Sequence, residues 1–503
     1  MNNDSGESTA TAIDELRARV RAAWDENLFH DAATRVVSLL AMHLSKVQRR
    51  DGNVLNWRTP VENVRFATAA MGENRPPTAE RIAELADAVL QRGQNLNQPR
   101  YIGHQVPPPS PLAGLFDAIG AVTNQVMGIY EMGPFTTAIE RAVADQLGQR
   151  IGWESGTFSG VVTHGGSLAN LTALLTARNV CLGDSWESGV DPQTRPCMVV
   201  NAEAHYCVNR AAGVMGIGTE HVIPAAMNDR RSVDAEQLDA QLGELIASGR
   251  TVIAFAASAC STPTGAFDDL AAVADVCEKH GVWFHVDAAH GGGALMSDRY
   301  RSRLAGIDRA DSVVWDAHKM LFVPALCAFV FFRKHAHGFA PFQQKAPYLF
   351  DSEEHAPAEY DSAQRTLECT KRAAALGIWG LWSTFGESLF GDLIDLTFGM
   401  TRQFHTIVGD APDFEALHDP EANILVFRYE PGDRELNVAE SNGMHSRVRR
   451  QLIESGRFYI CQTELDGRVC FRVTVINPLT TDDDFVQLLQ AIRDTAHATN
   501  VAD

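Results

Sequence analysis

The first 180 residues contain no cysteine, and the nine that follow, scattered from Cys181 to Cys470, form no C-x-x-C pair. That usage excludes a disulfide framework and a zinc site, and no other metal site is expected; it suits a reducing cytoplasm. Long apolar runs are missing too: none approaches the roughly 18 residues that a spanning helix needs, so no membrane role is expected. The polar, acidic start is unlike a signal or transit peptide. Neither Gly-Lys-Ser/Thr after a glycine loop nor G-x-G-x-x-G occurs, which weighs against nucleoside triphosphate and dinucleotide binding. Positive charge is in short supply, with 43 Lys and Arg against 63 acids and a net charge of −20. Such a chain repels nucleic acid and anionic membranes, and its acidity serves solubility. The remainder is ordinary for a globular protein, 45% hydrophobic and 21% charged.

At 503 residues the chain has room for two or three domains of about 150 residues. Residues 1–10 are expected to lack order. Helical periodicity follows over Ile13–Trp24, from Arg35, and over Ala79–Leu90. Residues 1–104 therefore read as a helical arm that packs on something larger, such as a second subunit. A proline cluster at 107–109 breaks the pattern, and helices are expected at Leu112–Tyr130 and Thr136–Ile151. Beyond Gly160, short apolar runs alternate with helical ones. Strands are expected at Met198–Asn201, His221–Pro224, Thr251–Ala256, Val282–Val286, Ser312–Trp315 and Leu326–Phe332. This is the texture of an α/β domain, here 105–390, with a mostly parallel sheet flanked by helices. Residues 333–368 have little periodicity, as a functional loop would. A small α+β domain, 391–503, completes the chain.

The chemistry sits where the strands end. Ser312–Trp315 runs into Asp-Ala-His318-Lys319, and Val282–Val286 runs into Asp287-Ala-Ala-His-Gly-Gly-Gly. A lysine at one strand end and an acid at another suit pyridoxal phosphate. Its aldehyde needs an amine for a Schiff base, and its pyridine nitrogen needs a carboxylate to stay protonated. Gly165-Gly166-Ser167 opens a helix whose N-terminus can receive a phosphate, although an ordinary turn and cap has the same appearance. His205, where a strand turns into a helix, can stack on a pyridine ring or serve as a capping residue. The ordered combination lifts each reading above its bland alternative.

The segments THGGSLANLTALLTARN, NAEAHYCVNRAAGVMGIG, HVDAAHGGGALM and SVVWDAHKM resemble the group II pyridoxal-phosphate-dependent amino-acid decarboxylases, from about residue 98 to the C-terminus. That family includes the glutamate, 2,4-diaminobutyrate and aromatic amino-acid decarboxylases. The resemblance implies the aspartate-aminotransferase-like, type I fold of the pyridoxal-phosphate-dependent transferases. It implies that Lys319 is the Schiff-base lysine, Asp287 the pyridinium partner and His205 the stacking residue, with Gly166, Ser167 and His318 holding the phosphate. Ser261 and Thr262 fall where the family has Gly-Thr-Thr near the cofactor, with Cys260 in place of the glycine. Tyr348 resembles the proton-donating tyrosine of the family's mobile loop, expected near 340–365. Arg472 matches an arginine that binds a substrate carboxylate, and His104 lies where the family places a substrate-pocket residue. His104 and His290 replace the Gln and Trp of the animal glutamate enzyme.

The expected reaction is decarboxylation of an L-amino acid to its amine and carbon dioxide in a homodimer with sites at the interface. Arg472 and the segment from Gln364 favour a polar or acidic substrate of the glutamate, aspartate or 2,4-diaminobutyrate type. An aromatic or aliphatic substrate, a decarboxylation-dependent aldehyde synthase and a catalytically silent homologue acting as a binding module stay open as alternatives. The retained Tyr348 argues against the synthase, and the intact Lys319, Asp287 and His205 against the silent homologue.

Overall fold

The computed structural model describes residues 4–73, 75–342, 358–432 and 436–500. It falls into two compact units: Met1–Ile102 with Ser446–Ile460 and Leu479–Asp503, and Gly103–His445 with Cys461–Pro478.

The larger unit is built on seven strands: β1 (Ser159–Thr163), β2 (Pro196–Val200), β3 (Val222–Pro224), β4 (Thr251–Ser258), β5 (Trp283–Asp287), β6 (Ser312–Asp316) and β7 (Ala328–Phe332). Their order is β1-β7-β6-β5-β4-β2-β3. The run from β3 to β6 is parallel, while β7 is antiparallel to both β6 and β1. Every residue of β1, β2, β6 and β7 is buried, which is why β2, β6 and β7 read as mostly apolar runs rather than as alternation. Helix Gly166–Leu182 lays Ala169, Ala173, Leu174 and Ala177 into the core beside Val161, Val314 and Val330. Two reversals bring β1 back parallel to β6. The segments after β1, β2, β4, β5 and β6 therefore leave one edge of the sheet together, where an open α/β sheet binds its ligand.

A second, antiparallel sheet lies in the same unit: β8 (Phe414–Ala416), β9 (Ile424–Tyr429), β10 (Cys461–Leu465) and β11 (Arg468–Thr474), in the order β8-β9-β11-β10. β10 and β11 form a hairpin closed by Asp466-Gly467, both at positive φ (52° and 77°), as a two-residue turn between right-twisted strands requires. The expected helix Leu112–Tyr130 stops at Thr123, where Asn124 takes a left-handed φ of 48°.

The smaller unit is helical. Glu26–Gln48, Pro60–Gly72 and Ala79–Arg92 start at Asp25, Thr59 and Thr78, whose side chains accept from the first-turn N–H groups. Thr59 and Glu62 complete a reciprocal capping box. Arg50 binds Asp484 and donates to the Thr481 hydroxyl at 3.0 Å, which ties the start of helix Asp482–Asn500 to the chain after Gln48. Helix Pro60–Gly72 is absent from the sequence-based expectations. The expected disorder over residues 1–10 is corrected as well, since a helix already begins at Asp4.

Candidate active site

The loops at the C-terminal edge of the sheet enclose a cavity of about 310 Å³. Its lining includes Gly166, Ser167, His205, Thr262, Asp287, His318 and Lys319, together with Gln105, His164, Asn170, His290 and Asp316. The volume is within the usual range for small-molecule sites, about 300–1,000 Å³.

Two glycines shape the first wall for different reasons. Gly165 sits at φ 101°, which side-chain-bearing residues avoid. A β-carbon on Gly166 would lie 2.7 Å from Asp316 Oδ2, so only glycine lets helix Gly166–Leu182 start this close to the end of β6. The first N–H groups of an α-helix have no partner inside it, and they open onto the cavity here.

Asp287 ends β5 and is held by two donors. Ala289 N donates to Oδ1 at 3.1 Å, and Asn170 Nδ2 donates to Oδ2 at 3.2 Å. Asn170 Nδ2 also donates to Gly166 O at 2.9 Å, which fixes the amide orientation and turns Oδ1 towards His285 Nε2, 2.8 Å away. His285 Nε2 must then carry the proton. Its Nδ1 accepts from the Ser312 hydroxyl at 2.8 Å, and that oxygen accepts from Trp283 Nε1 at 2.8 Å. Burial pushes the His285 pKa down to about 4, which keeps the ring neutral and gives the chain of bonds this polarity.

Lys319 stands in the short helix Ala317–Met320, with Nζ 3.4 Å from Asp316 Oδ2. His318 Nε2 lies 3.7 Å from the same oxygen, and its Nδ1 is bound to Cys327 O at 2.9 Å. His205 Nδ1 accepts from Cys207 N at 3.3 Å. Burial holds this imidazole below its usual pKa, against the pull of Asp287.

Other expected residues lie at the margin. Arg472, buried on β11, donates from Nε to Thr262 O at 2.9 Å, while its Nη2 has no hydrogen-bond partner. Burial pushes its guanidinium pKa down. Ser261 is buried beside Thr262 but outside the cavity lining, its hydroxyl 2.9 Å from that of Thr264. His104 is exposed, with Nδ1 3.3 Å from Cys461 Sγ, and its neighbour Gln105 lines the cavity instead. Tyr348 lies outside the described residues.

Sequence reasoning gave no role to Asp316 or Asn170. Both lie within the quoted segments, but their significance depends on partners in other strands.

The site fits pyridoxal phosphate on its own geometry. A lysine amine and a carboxylate face one cavity, and a glycine turn at a helix N-terminus stands beside them to receive a phosphate. Three buried polar atoms in and around it, Asp316 Oδ1, His290 Nδ1 and Arg472 Nη2, have no hydrogen-bond partner among the described residues. Orphaned buried groups of this kind are expected where a polar ligand completes the site.

Comparison with known proteins agrees. Residues 77–430 match the "Pyridoxal-dependent decarboxylase conserved domain". The chain is 28% identical to "Acidic amino acid decarboxylase GADL1" of Xenopus tropicalis, over 87% of each chain. It is also 28% identical to the Homo sapiens protein of that name, over 93% of this chain and 90% of that one. A crystal structure of mouse CSAD, 26% identical, superposes with a TM-score of 0.86 over 94% of this chain and 98% of that one. Oryza sativa TDC, solved with PLP and tryptamine, has the same fold at 21% identity and a TM-score of 0.83, over 94% of this chain and 99% of that one. The architecture is thus the type I fold expected from the sequence.

Proposed function

The chain belongs to the pyridoxal-dependent decarboxylase family, and on that premise we propose that its substrate is an acidic L-amino acid, of the glutamate or aspartate type. The enzyme is a pyridoxal-phosphate-dependent amino-acid decarboxylase, yielding an amine and carbon dioxide. The observation that carries the acidic reading is Arg472, a buried cation with Nη2 unpartnered beside the cavity residue Thr262. Relatives named acidic amino acid decarboxylases support it.

The bound cofactor supplies the electron sink for the pair left on Cα when carbon dioxide departs. Lys319 would hold it covalently through Nζ, Gly166, Ser167 and His318 would receive its phosphate, and Thr262 would lie beside it. Asp287 would keep the pyridine nitrogen protonated by charge pairing, and His205 would pack against the ring. Arg472 would fix a substrate carboxylate, and Tyr348 would return a proton to Cα, general acid catalysis worth roughly 10²–10⁴-fold.

A second reading, a substrate with an amino group at its far end as in 2,4-diaminobutyrate, is favoured by His290. Asn423 Nδ2 donates to Val475 O at 3.1 Å, so its Oδ1 accepts from His290 Nε2 at 2.7 Å. His290 Nδ1 is then a lone-pair acceptor in the cavity wall, suited to a donor. Carbon dioxide release from a panel of L-amino acids tests both. Turnover of glutamate, aspartate or cysteine sulfinate supports the first reading, exclusive turnover of a diamino acid the second, and turnover confined to aromatic substrates overturns both.

We propose further that the enzyme is a homodimer in a reducing cytoplasm. On helix Pro111–Thr123, Leu112, Leu115, Ile119 and Val122 are all exposed at spacings of three and four, an apolar stripe that a second copy would cover. All nine cysteines are free. A sedimentation mass of one chain would refute the dimer.

A further inference from the structure

Among the described residues, Asp316 is the one carboxylate lining the cavity that the roles above leave unused. It ends β6 three residues before Lys319 and is 1% exposed. Oδ2 faces Lys319 Nζ at 3.4 Å and His318 Nε2 at 3.7 Å, and Oδ1 has no hydrogen-bond partner. On its other side is the Gly165–Gly166 turn, so close that a β-carbon at Gly166 would sit 2.7 Å from Oδ2. The carboxyl group therefore lies against the cradle in which a phosphate would rest.

This placement creates a charge conflict. In the structure as it stands, the Lys319 ammonium is the nearest counter-charge to Asp316. A phosphate monoester brings about −1.5 to −2 charges at neutral pH. Its arrival beside a buried carboxylate repeats the problem of two acids sharing one site, which is relieved when one of them keeps a proton. His318 borders the carboxyl group, His205 lines the same cavity, and Asp287 adds a further negative charge. A protonated carboxyl would offer an O–H to the phosphate.

We propose that Asp316 takes up one proton from solvent when the phosphate of the cofactor binds, and holds that phosphate as a neutral hydrogen-bond donor. Cofactor retention is then pH-dependent through Asp316 and weakens as the carboxyl ionises. Burial already pushes the Asp316 pKa up, against the opposing pull of Lys319 and His318. The inference rests on the reading that this cavity takes pyridoxal phosphate with Lys319 as its anchor.

The test measures dissociation constants of the apoprotein for pyridoxal phosphate and for pyridoxal from pH 6 to 9. It compares the native chain with Asp316→Asn, whose amide donates without titrating. Native affinity for pyridoxal phosphate should fall with pH faster than that of the variant, by up to about tenfold per unit above the transition. The two proteins should share one pH dependence for pyridoxal. A constant native-to-variant ratio across the pH range for pyridoxal phosphate overturns the proposal. If Asp316→Asn does not fold, calorimetry of the native protein at pH 8 in buffers of different ionisation enthalpy replaces it. About one more proton taken up with pyridoxal phosphate than with pyridoxal supports the proposal, and equal uptake overturns it. Borohydride reduction keeps the two readings apart: no adduct at Lys319 refutes the anchor, whereas an adduct with unchanged pH dependence refutes only the role of Asp316.

Discussion

Asn170 donates to the Asp287 carboxylate at 3.2 Å from a helix 117 residues earlier in the chain. The same amide accepts from His285, so one side chain joins the start of helix Gly166–Leu182 to both inward groups of β5. Asp287 is thereby aimed by a rigid helix as well as by its own loop, through Ala289 N.

Asn170→Ala removes that support and leaves His285 Nε2–H and one Asp287 oxygen without their partner. An unsatisfied buried group costs about 1–3 kcal/mol, so thermal unfolding should shift down by several degrees. Turnover should fall by at least tenfold while the borohydride-fixed adduct still forms. A stable variant with native turnover would show that Asp287 is aimed by other contacts.

Asp287→Asn separates charge from shape. The amide can keep the Asn170 and Ala289 bonds only in part, and it cannot hold a pyridine nitrogen protonated. Cofactor should still bind covalently, while carbon dioxide release drops by two or more orders of magnitude. Near-native kcat would exclude the proposed role.

Gly166→Ala tests the cradle itself. The new methyl group would press on Asp316 Oδ2 at 2.7 Å, and neither β6 nor the helix start can give way without disturbing the packed core. Affinity for pyridoxal phosphate should fall more than tenfold, with little change for pyridoxal, which brings no phosphate. Equal losses for both ligands would point to general misfolding.

Much of this architecture is legible in the chain because buried parallel strands write themselves as local apolar runs. β4 to β6 are of this kind, the antiparallel β7 is as fully buried and reads the same way, and the residues that end β5 and β6 stand out because charge follows hydrophobicity at once. β1 is harder to see: Ser159-Gly160-Val161-Val162-Thr163 has two apolar residues in five, and it is a strand because Ala328–Phe332 pairs with it across the fold. Helix Pro60–Gly72 escaped a search for apolar stripes because none of its residues is buried, yet its Thr59–Glu62 capping box was present in the sequence. Asp316 and Asn170 were unreadable for a different reason. Their roles depend on touching Gly166, Lys319, His285 and Asp287, and no spacing in the sequence announces contacts between strand ends. Ser261 and Thr262 show the limit from the other side: they are adjacent in sequence, but only Thr262 lines the cavity.

Acid should destabilise the fold through its buried histidines. Burial pushes His285 to about 4, His290 to about 3 and His445 to about 4, against about 6.5 in an unfolded chain. Because the folded values are depressed, the unfolded state binds protons first as pH falls. The stability these residues contribute is fully present above 6.5 and is lost towards 4. Each adds a slope of about 1.4 kcal/mol per pH unit, so the three together give about 4 kcal/mol per unit between pH 6 and 5. Urea unfolding at pH 7, 6 and 5 measures it, and equal midpoints at all three would contradict the neutral, buried state of these rings.

Among the described residues, Lys371 and Glu140 make the most buried ion pair of the larger unit, 1% and 3% exposed in their side chains, with Nζ 2.6 Å from Oε1. Nζ also donates to Val162 O at 2.7 Å, and Glu140 Oε1 accepts from Val162 N at 3.1 Å, so both charges grip the backbone of β1 three residues before the Gly165–Gly166 turn. Among the described residues Glu140 Oε2 has no hydrogen-bond partner, so the carboxylate's direct ion pair is with Lys371. Removing one partner of a buried pair strands the other charge at a cost of about 3–5 kcal/mol, whereas replacing both by apolar groups of similar size is often neutral. Lys371→Met should therefore lower stability by about that amount and weaken cofactor retention by loosening β1, and adding Glu140→Leu should restore most of the stability. Chemical unfolding of the two single variants and the double variant closes the cycle. If the double variant is as unstable as the sum of the single ones, the two residues act independently and the clamp on β1 is not electrostatic.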